Sequence, residues 1–140
     1  MTARMQMCKD KGFDAVEPDN IDGYTNNTGF PLTAQNQITY NNWLADQAHA
    51  LGLSIGLKND VDQVAALQPK FNWALNKECN QYAECGVYSA FTLANKAIFN
   101  AEYKDTIANL CPKDAAKKIN GVIYNLNLDG KKFLPCTNVW

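Results

Sequence analysis

Five short apolar runs punctuate the chain, at residues 14–17, 53–57, 71–76, 97–102 and 121–126. Each is rich in β-branched or aromatic side chains and has the length of a strand. The stretches between them carry apolar residues at helical spacing. Over residues 33–51, Tyr40, Leu44, Ala48 and Leu51 recur on one face, Thr33 stands at the N-cap position, and Gly52 follows as the stop. A shorter helix is predicted over 60–67, capped by Asn59 or Asp60 and closed before Pro69. Two more are predicted over 87–96 and 105–119, the second kinked or split at Pro112. Strand and helix alternate along the chain, which predicts an α/β fold with a parallel sheet built from right-handed crossovers.

Alternation along each strand sorts the side chains into faces. Ala15, Glu17 and Asp19 share a face in the first strand, and Ser54, Gly56 and Lys58 in the second. In the third, fourth and fifth the sets are Ala74, Asn76 and Glu78; Ile98, Asn100 and Glu102; and Ile123, Asn125 and Asn127. Each set turns polar toward the C-terminal end of its strand. Val16, Ile55, Leu57, Trp73 and Leu75 take the other face and are expected beneath helices. In a (β/α) barrel the C-terminal strand ends form the mouth of the active site. Glu17, Asp19, Lys58, Asn76, Glu78, Asn100 and Glu102 are therefore expected to converge on one cavity. Any one of them alone would read as a strand-end cap, but their recurrence in phase on four strands points to a site.

Composition acts mainly by exclusion. The 140 residues have single-domain length, with no linker, fixed-period repeat or low-complexity segment, so residues 1–140 read as one architecture. Thirteen basic and 14 acidic residues are mixed along the chain, giving a net charge of −1 and no basic block for nucleic acid. The apolar runs are too short to span a membrane, and residues 1–11 are polar without a signal-peptide core. No glycine-rich phosphate loop follows the first strand, so no nucleotide or other cofactor is expected. Five cysteines with no CxxC pair, and a single histidine, leave almost nothing from which to build a zinc site. The cysteines are either buried thiols or local disulfides. In the second case Cys79 with Cys85 closes a short loop, Cys111 with Cys136 ties the last helix to the tail, and Cys8 is left over. The sequon at residues 26–28 reads as turn chemistry.

Several carboxylates around one lysine suit acid–base chemistry on an acetal, where one carboxyl must be protonated and a second ionised. A serine-type triad lacks its base, because His49 falls on a helix and is expected at its surface. Glu17, Asp19 and Glu102 offer hard oxygen ligands to a divalent cation. The acid–base reading needs no such ion, and no metal is expected.

The run Gly12-Phe13-Asp14-Ala15-Val16-Glu17-Pro18-Asp19-Asn20-Ile21-Asp22-Gly23-Tyr24 resembles the endo-α-1,4-polygalactosaminidases, a group of microbial glycoside hydrolases. The similarity continues through Gly56-Leu57-Lys58-Asn59-Asp60, Trp73-Ala74-Leu75-Asn76-Lys77-Glu78-Cys79, Gln81-Tyr82, Glu84-Cys85 and Phe99-Asn100-Ala101-Glu102-Tyr103. It covers nearly the whole chain, with the motifs in order on successive predicted strands. The resemblance implies a secreted enzyme of the (β/α)8 TIM-barrel type, whose partner is its polysaccharide substrate. That substrate is a polymer of galactosamine or N-acetylgalactosamine, cleaved internally. By analogy it makes Asp19 the nucleophile and Glu78 the general acid/base. Glu17, Lys58, Asn76, Glu102 and Tyr103 then line the subsite, with Tyr24 and Tyr82 as sugar-stacking platforms. A Cys79–Cys85 disulfide fits this arrangement, since it would stiffen the loop just beyond Glu78. A family member carries about three strands more ahead of the first one here, so the chain is expected to supply strands four to eight. It would then be part of a longer protein, a self-associating half-barrel, or a shortened homologue without activity.

Overall fold

The computed structural model describes residues 1–137 and is a mixed α/β fold with parallel strands. The chain forms two compact units, Met1–Trp73 and Ala74 onward.

The first unit contains α1 (Thr2–Asp10), β1 (Ala15–Val16), α2 (Ala34–Ala50), β2 (Ser54–Lys58) and α3 (Val64–Leu67), the last entered through a 3-10 turn. β1 and β2 run parallel, with Ala15 opposite Ser54 and Val16 opposite Ile55. α2 begins where expected. The Thr33 hydroxyl accepts from the amide of Asn36 at 3.1 Å, and the Asn36 side chain accepts from the amide of Thr33 at 3.0 Å. This capping box satisfies two donors that the first turn leaves without helical partners. Gly52 closes the helix at φ 68°, a conformation natural to glycine. The buried stripe of α2 is rotated from the predicted one. Gln37, Asn41, Leu44, Ala45 and Ala48 face inward, while Tyr40 lies outside, stacked on Trp43 with ring centroids 5.8 Å apart. Two amides occupy the stripe because each finds buried partners, a signal that hydrophobic periodicity does not carry. His49 is exposed, as expected, and its Nε2 lies 3.0 Å from Asn72 Oδ1. The same Asn72 oxygen accepts from the amide of Ile55.

Trp73, the first residue of β3 (Trp73–Lys77), donates from its indole nitrogen to Ser54 Oγ at 2.9 Å. Its ring lies flat over Gly56, where a Cβ would meet ring carbons at 2.4–2.6 Å. Glycine at 56 is thus required by close approach and not by backbone geometry.

The second unit continues with α4 (Ser89–Leu93), β4 (Ile98–Glu102), α5 (Ile107–Ala116), β5 (Asn120–Tyr124) and β6 (Phe133–Pro135). β3, β4 and β5 are parallel, with Asn76, Asn100 and Gly121 in one row. β6 returns antiparallel to β5, with Phe133 opposite Tyr124. It is not predicted from sequence, being three exposed residues ending in proline. The Cys111–Cys136 disulfide ties α5 to the residue directly after β6. Cys79–Cys85 closes the loop after β3, and Cys8 forms no disulfide among the described residues. The two local disulfides are therefore the reading that holds. Pro112 neither splits nor ends α5. The hydrogen bond it cannot make falls to the carbonyl of exposed Ala108, which water can satisfy. Among the described residues no helix is long and apolar enough to cross a membrane.

Gly56→Ala should lower the stability of the folded chain by about 1–3 kcal/mol, the usual cost of overpacking. Chemical denaturation checks this, and an unchanged midpoint would mean that Trp73 does not press on Gly56.

Candidate active site

In the first unit the loop after β1 carries Glu17, Asp19 and Tyr24, and Lys58 ends β2. Lys58 Nζ donates to Asp19 Oδ1 at 2.8 Å, with the lysine mostly shielded and the aspartate largely open. An exposed carboxylate held by a mostly shielded ammonium is anchored without being covered. Glu17 lines a pocket of about 300 Å³ together with Val16, Phe13 and Met5. Desolvation there pushes its carboxyl above the usual range, the Lys58 ammonium opposes the shift, and Asp19 adds to it. Three of the expected site residues thus form one electrostatic group.

Tyr24 sits in a 3-10 turn beside a second cluster that sequence reasoning missed. Asp60, 3% exposed, accepts at Oδ2 from Asn41 Nδ2 at 3.1 Å. The same Asn41 amide donates to the carbonyl of Ile21 at 2.9 Å, and its oxygen accepts from Gln37 Nε2. One buried amide therefore fastens the loop after β1 to the loop after β2. Burial pushes Asp60 up to about 7, with Asp22 and Asp62 adding and the Asn41 hydrogen bond opposing. Tyr24 is also raised, by desolvation first and then by Asp60, Asp62 and Asp22. Asn59 and Asp60 both adopt the left-handed conformation, at φ 48° and 51°. On the sequence Asp60 reads as a helix cap at the end of the run Gly56-Leu57-Lys58-Asn59-Asp60.

In the second unit the face assignment is the reverse of the expected one. Ala74, Asn76, Ile98, Asn100, Glu102, Gly121 and Ile123 are buried, and helices cover this face. Leu75, Lys77, Phe99, Ala101 and Val122 occupy the opposite face, half-buried or exposed. Alternation shows that two faces exist but not which one the helices cover. Polar residues fit beneath the helices here because each meets a polar partner.

Asn76 is completely buried and donates to Tyr88 Oη at 2.8 Å and Glu84 Oε1 at 3.2 Å. Its side-chain nitrogen thereby braces the loop after β3, and its position is buried and not open to solvent. Glu102, 2% exposed, accepts at Oε1 from the amide of Asn80 at 2.8 Å and from Asn100 Nδ2 at 3.2 Å. It also borders a polar pocket of about 190 Å³, with Gln81, Asn109 and Lys104 among the walls. Desolvation raises its pKa, the hydrogen bonds from Asn80, Asn100 and Gln81 oppose this, and Asp114 adds. Asp114, wholly buried on α5, accepts from Asn80 Nδ2 at 2.5 Å and from Asn100 Nδ2 at 3.1 Å. Its pKa is likewise raised, chiefly by desolvation. A residue four positions after buried Leu110 shares its helical face, and that spacing was the available signal for Asp114.

Glu78 begins the disulfide-closed loop. It is buried, at φ 66°, so strand alternation no longer sets the direction of its side chain. Its amide donates to the carbonyl of Ala101 at 2.8 Å, and its carbonyl accepts from the amide of Tyr82 at 3.1 Å. Tyr82 is 62% exposed and open to a ligand. The Lys77 ammonium lies 5.7 Å from the ring centroid of Tyr103. No group of acidic, histidine or cysteine residues among those described is arranged to hold a metal ion.

The model of glycoside-hydrolase family GH114 matches residues 1–139. A solved structure of Aspergillus fumigatus Ega3 in complex with galactosamine is 37% identical, with a TM-score of 0.84 over 97% of this chain and 59% of that one. The glycoside hydrolase domain of PelA from Pseudomonas aeruginosa matches at TM-score 0.60 and 11% identity, over 94% of this chain and 60% of that one, a likeness of fold alone. The chain thus spans about three fifths of the solved structures it matches. No curated protein matches it.

The folded pKa of Asp60 lies above its ordinary value of 3.8. Its contribution to stability is therefore complete at low pH and is lost as pH rises through about 7. Asp60→Asn, which keeps the shape and accepts the left-handed backbone, should be more heat-stable than the wild type above pH 7. That gain should shrink as pH falls toward 4. Thermal melts across this range decide the matter, and a variant less stable than wild type at pH 8 would show that the anion is the favoured form.

Proposed function

Because the chain belongs to glycoside-hydrolase family GH114, we propose that it hydrolyses internal α-1,4 linkages in polymers of galactosamine and N-acetylgalactosamine. The observation that carries this reading is the likeness, over nearly the whole chain, to a solved protein holding galactosamine. In this reading the chain supplies strands four to eight of a (β/α)8 barrel. Asp19 is the nucleophile and Glu78 the general acid/base.

Each role has local support. Asp19 is open to solvent yet fixed by Lys58, as a group that must attack a sugar carbon requires. Glu17 beside it is held above the usual carboxylate range by desolvation, with the Lys58 ammonium opposing that shift. Glu78 is shielded from water immediately before a loop closed by a disulfide, which suits a group that donates a proton to the leaving oxygen and then activates water. Tyr24, Tyr82 and Tyr103 supply aromatic and hydroxyl contacts to sugar rings. The two disulfides support an oxidising compartment, and with it secretion.

A second reading is a carbohydrate-binding domain without turnover, supported by the galactosamine held in the solved relative. Incubation with partly deacetylated poly-N-acetylgalactosamine separates the two. Hydrolysis predicts oligosaccharide products by mass spectrometry, with kcat lowered about 10²–10⁴-fold in Asp19→Asn and in Glu78→Gln. Rates unchanged in both variants would remove the two-carboxylate assignment. Binding of the polymer without products would favour the second reading.

A further inference from the structure

The loop carrying Glu78 is held from beneath by a side chain to which the proposed chemistry gives no role. Asn80, two residues after Glu78, is gripped at two points. Its amide donates to Glu102 Oε1 at 2.8 Å, and its side chain donates to Asp114 Oδ1 at 2.5 Å. The second oxygen of Asp114 accepts from Asn100, which also donates to Glu102. Gly121 makes room for this arrangement, since a Cβ there would meet Asp114 Oδ2. Asp114 is wholly buried on a helix, within the body of the unit.

We propose that Asp114 is a positioning residue for Glu78, acting through Asn80 to fix the loop in which Glu78 takes its left-handed backbone. This rests on the reading of Glu78 as the acid/base group. The geometry favours such a role over mere core filling. A buried carboxylate is expensive unless fully hydrogen-bonded, and an apolar residue would fill the same space without that requirement. The two donors it satisfies include the side chain of the loop residue nearest the Cys79–Cys85 closure. The disulfide closes the loop covalently, and Asp114 holds Asn80 within it to α5.

The test uses the 140-residue chain and its Asp114→Asn, Asp114→Ala, Asn80→Ala and doubly substituted Asn80→Ala/Asp114→Ala variants. Two readouts are taken, steady-state kinetics on the partly deacetylated polymer and hydrogen exchange of the 78–84 segment. Positioning predicts kcat lower by about 100-fold in Asp114→Ala with KM little changed. Asp114→Asn, which keeps an oxygen for Asn80, should lose less. The double variant should be no worse than the poorer single one, because both remove the same connection. Exchange in segment 78–84 should rise while the first unit keeps its protection. Additive losses in kcat, a change confined to KM, or unaltered exchange in that segment would overturn the proposal. Should the Asp114 variants fail to fold, Asn80→Ala, at a half-buried loop position, gives the same two readouts. Full kcat in Glu78→Gln would remove the role of Glu78 itself. Exchange, which needs no turnover, would still show whether Asp114 holds the loop.

Discussion

The buried carboxylate of Asp114 is the constraint around which the second unit is arranged. A carboxylate taken out of water must recover its hydrogen bonds inside the protein. Here Asn80 and Asn100 provide them, one from the loop after β3 and one from the middle of β4. Gly121 must stay without a side chain so that the oxygen fits. Glu102 then takes the amide of Asn80 and the remaining donor of Asn100. Asp114 on α5 and the residues Asn80, Asn100 and Glu102 thus form one network at the loop that the Cys79–Cys85 disulfide also closes. A polar network of this kind tolerates little change, because removing one partner strands the others.

The first unit uses a different device. Asn41 lies on the buried stripe of α2 and joins the carbonyl of Ile21 to the carboxyl of Asp60. The loops that follow β1 and β2 are thereby fastened to one helix, and the Lys58–Asp19 pair lies across the same two segments. Near neutrality Asp60 sits close to its titration point. The two units therefore share a principle, a buried amide or carboxylate reaching from a helix to the loop that bears a candidate catalytic group.

Much of the architecture was legible in the chain itself. The strand cores around Ile55, Leu75, Phe99 and Ile123 fall within the predicted runs, and Thr33 and Gly52 bound α2 as their chemistry dictates. What failed was the inference from polarity to exposure. Asn76, Asn100 and Glu102 recur in phase as a ligand-facing set would, yet they lie under helices because Tyr88, Asn80 and Asp114 meet them there. Those partners are distant in sequence, and periodicity is blind to them. The same blindness put Tyr40 in the stripe of α2 in place of Gln37 and Asn41. β6 escaped notice because its stability comes from pairing with β5 and from a disulfide, not from its own composition. In the first unit Glu17, Asp19 and Lys58 do come together, through the Lys58–Asp19 ion pair and the charges that act on Glu17.

Of the proposed roles, that of Asp19 as the attacking carboxylate is the one on which a covalent route of glycoside hydrolysis depends. The most direct measurement is covalent trapping with an activated fluorinated galactosamine donor, followed by peptide mapping of the labelled chain. The expected result is a single added glycosyl mass located by fragmentation on Asp19 itself, absent in Asp19→Asn. A label carried by Glu17, Glu78 or any other carboxylate would contradict it.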